Sequence, residues 1–149
     1  EEARQRAAVG VVAMVSDGPW MAGKQIFLNN GFEQIDQADR FQLVAHRLKA
    51  GDEPSFRNLS GKLKGYKGLH VVYSTQCPML TKSVTDLSTT ASEYGLKLNV
   101  TLLSTAAEAQ NAPSFYGTFN LIWNGKLLAD HYVSKGRFKN ILRAEILKE

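Results

Sequence analysis

The hydrophobic pattern divides the chain in two. From Val9 to Val15 the residues are almost all apolar or β-branched, which predicts a strand buried on both faces. Ahead of it, Glu1 to Ala8 reads as the end of a helix already under way, so the chain is expected to belong to a longer polypeptide. Ser16-Asp17-Gly18-Pro19 breaks the run; Ser16 or Asp17 suits a helix cap, and proline is tolerated in a first turn. Trp20 to Asn29 is therefore expected as a short helix, packed through Met21, Ile26, Phe27 and Leu28 and ended by Asn30-Gly31. Phe32 to Ile35 and Phe41 to Leu48 follow as candidate strands, separated by polar Asp36 to Arg40.

The pattern lapses from Ala50 to Gly68, a stretch rich in Gly, Ser, Lys and Asn with apolar spacing only at Phe56, Leu59 and Leu63. It reads as a linker over 50–68, between one domain over 1–49 and a second over 69–149. Leu69 to Ser74 predicts a strand, and Leu80, Val84, Leu87, Ala91 and Tyr94 mark one apolar helix face that Gly95 stops. Leu96, Leu98, Val100 and Leu102 alternate with Lys97, Asn99 and Thr101, a half-buried strand. Thr105-Ala106-Ala107-Glu108 has capping-box spacing and starts a helix that Pro113 terminates. Phe119 to Trp123 and Leu127 to Val133 flank Asn124-Gly125, a hairpin signal, and Ser134 caps a last helix carrying Phe138, Ile141, Leu142 and Ile146. The fold class is α/β, and this βαβαββα order is the thioredoxin-like one, whose reactive end lies at the C-terminus of the first strand.

Composition narrows the function classes. With 44% hydrophobic and 21% charged residues the chain is expected to be a soluble globular protein. No apolar run approaches the roughly 20 residues that cross a bilayer, and no secretory leader pattern is present, so membrane partners are not expected and a cytoplasmic location is. The net charge of +4 is scattered, with one cluster at Lys62, Lys64 and Lys67 that reads as a solvated segment, so no nucleic-acid partner is expected. One cysteine cannot make an internal disulfide.

That cysteine is Cys77, in Tyr73-Ser74-Thr75-Gln76-Cys77-Pro78-Met79-Leu80, where a strand gives way to a helix. A thiol there lies near unsatisfied helix N–H groups, which favours reactivity; the alternative is a small buried apolar residue. A dithiol mechanism needs a second thiol three residues on, where Leu80 stands, so internal disulfide exchange is excluded and a monothiol role stays open. The resemblance to thioredoxin-like enzymes implies a substrate-clamping cis-proline just before the hairpin's first strand; Gly117 stands there, and Pro113 lies four residues earlier. Phe115 and Tyr116 could line a substrate wall near Cys77 or belong to the core. Asp130-His131 sits on the expected second hairpin strand, where neighbours point to opposite faces, so His131 is expected as a surface residue. His46 and His70 have no metal-ligand partners at useful spacing, and no metal site is expected.

Gly10-Val11-Val12-Ala13-Met14-Val15-Ser16, followed by Gln25-Ile26-Phe27-Leu28-Asn29-Asn30-Gly31-Phe32, resembles the fifth strand and next helix of the GNAT N-acetyltransferase fold. The resemblance implies acetyl-CoA as cofactor, with the glycine-rich pyrophosphate loop lying before Glu1. Gly23 falls where the family often has a small residue against the cofactor, though packing within the helix is the simpler reading. Phe27 stands where many members have a tyrosine, and phenylalanine has no proton to give as a general acid. Tyr73 to Pro78, Glu108 to Phe119 and Asn124 to Leu142 are similar in wording to the YoaP-like C-terminal domain found fused behind GNAT domains. Together these likenesses imply a C-terminal fragment of an N-acetyltransferase, inactive alone and completed by a missing N-terminal half, that acetylates a small-molecule or amine acceptor. The thioredoxin-like domain would shape the acceptor site or bind substrate; the alternatives are a monothiol redox module using Cys77 and a non-catalytic interaction domain.

Overall fold

The computed structural model describes residues 1–18, 21–59 and 61–147. The chain forms two compact units, Glu1–Asn58 and Leu59–Glu149, each with its own sheet, in a mixed α/β architecture.

In the first unit, α1 (Glu2–Gln5) precedes β1 (Gly10–Val15), α2 (Lys24–Leu28), β2 (Glu33–Ala38) and β3 (Phe41–Arg47). The sheet order is β1-β3-β2, antiparallel throughout. The helix expected over Trp20 to Asn29 is corrected: Met21 to Gly23 are not helical, Gly23 takes an extended cap conformation, and the helix runs only over Lys24–Leu28, while Trp20 lies outside the described residues. Gly31, at φ +77°, lets the chain leave α2 while Gly31 and Phe32 donate back to Leu28 and Phe27 carbonyls. The polar stretch after Ile35 stays in the sheet: a bulge at Ile35 and a turn at Asp39 extend β2 to Ala38. Val15, Phe41 and Val44 form the buried centre. The expectation of a strand buried on both faces is corrected at β1. Val11 and Val12 are 41% and 49% exposed, because β1 is an edge strand with β3 on one side alone among the described residues.

The second unit carries β4 (Leu69–Ser74), α3 (Pro78–Glu93), β5 (Leu98–Leu103), α4 (Ala106–Gln110), β6 (Phe119–Trp123), β7 (Lys126–Ala129) and α5 (Lys135–Ile141), which continues as a π turn over Leu142–Ile146. The sheet order is β5-β4-β6-β7, with β4 parallel to β5 and antiparallel to β6. Leu69, Val71, Phe119 and Leu121 present one face to Leu80, Val84, Leu87 and Ala91 of α3 and to Phe138 of α5, all inside one buried cluster. The Thr105–Glu108 capping box forms: Thr105 Oγ1 accepts from Glu108 N, and the Glu108 carboxylate accepts from the Ser104 and Thr105 amides. Those amides hold the Glu108 pKa below its ordinary 4.5. The second hairpin strand stops at Ala129, short of Val133, after a register shift against Leu121 and Ile122.

Asn124 and Gly125 both take positive φ, 45° and 79°, as a two-residue hairpin turn of this handedness requires. Asn124 also exchanges hydrogen bonds with Gly68, its side chain accepting from Gly68 N at 2.7 Å and its amide donating to Gly68 O. A short 3-10 turn, Lys62–Gly65, lies against this hairpin, so a Cβ at Gly125 would sit 3.2 Å from Leu63 O.

Gly125→Ala should therefore cost about 1–2 kcal/mol from the left-handed backbone alone, read by urea unfolding followed at Trp123 in a Trp20→Phe background. Glu108→Gln should flatten the acid side of the stability profile. The native carboxylate contributes stability that is complete above pH 4.5 and is lost as pH falls through its lowered folded value. A variant with an unchanged acid limb would refute that assignment.

Candidate functional site

The loop after β4 and the segment before β6 meet at one end of the second sheet. Ser74 N donates to Thr118 O at 3.0 Å, which places Thr75 to Cys77 beside the 115–118 segment. Cys77 is exposed, with Pro78 as the first residue of the sixteen-residue α3, and it occupies the cap position without a side-chain capping bond. Its backbone carbonyl accepts from Leu80 N. Leu80 itself is 6% exposed, a core residue in the place of a resolving thiol. The reading of Cys77 as a buried apolar residue is thus corrected: the thiol faces solvent.

Gly117 is buried at φ +76°, where a Cβ would come within 3.1 Å of Ala109 O. Proline, fixed near −65°, cannot adopt that backbone. Phe115 and Tyr116 are half-buried, neither an exposed wall nor full core. Two buried polar atoms, Ser74 Oγ and Asn120 Oδ1, have no hydrogen-bond partner. They occupy alternate strand positions to Tyr73 and Phe119, so they face away from α3 and the thiol.

His131 is not the surface residue expected. It is only 17% exposed; Nδ1 lies 2.8 Å from Asp130 Oδ1, and Nε2 lies 2.9 Å from Arg137 Nη1. Arginine can only donate, so Nε2 accepts and the ring proton sits on Nδ1, toward Asp130. The reason is local: β7 has ended at Ala129, so strand alternation no longer separates Asp130 from His131. Both ring nitrogens are engaged and neither is offered to Cys77. The signal was the Asp-His pair with an arginine six residues on, which only the turn into α5 brings together. His46 and His70 are held to backbone carbonyls of Gly31 and Lys67, and no group of three or more metal-ligating side chains occurs among the described residues.

In the first unit, Phe27 packs edge-to-face on Phe32 at 5.4 Å, and Phe32 in turn meets the His46 ring at 5.6 Å. Gly23 caps α2 in extended conformation, and a Cβ there would lie 3.1 Å from Asp17 Oδ1. An anion already occupies that approach, and α2 has five residues, so these residues do not form a cradle for the diphosphate of acetyl-CoA. Elsewhere in the unit, a cleft of about 370 Å³ is floored by Val9, Val11, Val12, Ile35 and Ala45. Its rim carries an Arg47–Glu53 ion pair at 2.6 Å and Lys49, which donates to Ala7 O. Of the residues singled out from the sequence, Gly10, Val11 and Val12 of the GNAT-like strand and His46 line it, while Gly23 and Phe27 do not.

Residues 98–140 match the YoaP-like family model. That span runs from β5 into α5 and includes Phe115, Tyr116 and the Asp130–His131–Arg137 chain, but not Cys77. The chain is also 28% identical over 127 residues to the Uncharacterized N-acetyltransferase YoaP of Bacillus subtilis (strain 168), an alignment covering 83% of this chain and 51% of that protein. It therefore spans about half the length of the curated relative it matches. No solved structure matches it, and among the described residues no helix is long and apolar enough to cross a membrane.

Replacing Cys77 by serine supplies the missing cap acceptor and should stabilise α3 by about 0.5–1 kcal/mol. Denaturant unfolding checks this, and a loss of stability would mean that the thiol is a packed structural group.

Proposed function

We propose that this chain is part of an acetyl-CoA-dependent N-acetyltransferase acting on an amine acceptor. Its first unit would be the C-terminal arm of the GNAT fold, over 1–49, and its second a thioredoxin-like domain, over 69–149, that shapes or presents the acceptor. The observation that carries the reading is β1. Its first half is uncharged, and Val11 and Val12 within it, like Val9 just ahead of it, are each more than 40% exposed and floor the 370 Å³ cleft. Such a strand is built for a neighbour on its open side, and the proposal supplies one from acetyltransferase polypeptide that these residues do not include. The β1-β3-β2 order with α2 between β1 and β2 agrees with the GNAT resemblance. So does the alignment with a protein named as an N-acetyltransferase and about twice as long.

The second unit is read as contributing no redox chemistry. Leu80 fills the resolving position, and the backbone of Gly117 excludes the clamping proline. The exposure of Cys77 supports one other reading, a monothiol whose thiolate attacks a partner's disulfide, forming a mixed disulfide as the partner's S–S bond breaks and its other sulfur leaves as thiolate.

The test compares this chain with the intact protein by calorimetric titration of acetyl-CoA. Intact protein should bind and the present chain should not, because the diphosphate cradle lies outside it; an intact protein that fails to bind removes the acetyltransferase reading. In the intact protein, Cys77→Ser should leave the acetyl-transfer rate within about twofold, whereas a loss of tenfold or more would move the thiol into the function.

A further inference from the structure

The two sheets expose four edges among the described residues, and two are defended. β2 carries Glu33, Asp36 and a bulge; β7 has only four residues, a shifted register and a lysine tied to Glu145. These are the devices that keep an edge from pairing. β5 has none of them. Leu98-Asn99-Val100-Thr101-Leu102-Leu103 lacks charge, proline and glycine, and it runs in unbroken register along β4 for six residue pairs. Val100 and Leu102 share one face and are 48% and 49% exposed. The sequence pattern predicts both as half-buried, and the edge position leaves them uncovered.

The geometry points to a second copy of this chain as the partner, its β5 pairing antiparallel with β5 about a two-fold axis through Thr101. An axis normal to the sheet preserves its faces, so side chains on one face must oppose side chains on that face. Centring on Thr101 sets Val100 against Leu102 of the second copy and Leu102 against its Val100. Centring on Val100 would instead set Leu102 against Leu98, which already packs on the core. The nearest charge, Lys97, falls opposite Thr105 and about 27 Å along the strand from its own equivalent, so no like charges meet. Pairing of one six-residue edge covers less than the roughly 1,200 Å² of a standard interface, and the dimer is accordingly weak and concentration-dependent.

Sedimentation equilibrium of the Cys77→Ser chain tests this from micromolar to millimolar concentration. The weight-average mass should climb toward twice the 16.5 kDa chain mass. Thr101→Lys, which places like charges on the axis, should remain monomeric throughout with an unchanged circular dichroism spectrum. In the Cys77→Ser background, Thr101→Cys should cross-link to a covalent dimer when an added oxidant takes up the two electrons of the new bond, because directly opposed strand residues lie within disulfide reach. Asn99→Cys, opposite Leu103, should not. A mass fixed at the monomer value at millimolar concentration overturns the proposal, as does cross-linking at Asn99 in place of Thr101.

Discussion

A sheet with one apolar face stays folded in water only if that face is covered, and in the second unit the cover must come from segments that β4 and β7 launch. β4 is central and parallel to β5, so the chain has to cross back over the sheet between them, and the crossover is α3. Its buried side chains, from Leu80 to Ala91, then fix where the helix begins. The place of Cys77 follows from this packing before any chemistry is considered. A cysteine at the cap of α3 is exposed because the face of α3 that begins at Leu80 is the one turned inward.

Much of the second unit was legible because its signals are local. Asn124-Gly125 names its own turn, Thr105 and Glu108 name their own box, and the spacing from Leu80 to Tyr94 names one helix face. What the pattern does not carry is whether a face has a neighbour. Alternation at Val100 and Leu102, and the apolar run at Val9 to Val15, correctly indicate strands, yet burial there depends on a second layer or a second strand that periodicity does not count. The same limit applies to His131, whose partner Arg137 reaches it only because the chain turns between β7 and α5. The candidate site was therefore legible as a position, the end of β4, and illegible in its surroundings.

The family likeness and the thiol occupy different parts of the unit. The matched span begins at β5 and ends within α5, the part of this chain that holds the α4 cap, the hairpin and the His131 network. In that span Gly117 has two constraints at once, a left-handed backbone and the carbonyl of Ala109 against its missing side chain. Either alone would favour glycine; together they leave no room for a side chain at this buried position.

The turn at Lys62–Gly65 bears on where this polypeptide can be divided. Leu63 O closes against Gly125, Lys62 donates to Asn111 O, and Gly68 exchanges two bonds with Asn124. A module cut at Leu69 would leave Asn111 O and the hairpin turn without these partners, whereas one cut just before Leu59 keeps them. By this criterion the unit that recombination or expression can carry intact includes the second half of its apparent linker, from Leu59 on, and the composition of that stretch conceals the clasp it forms.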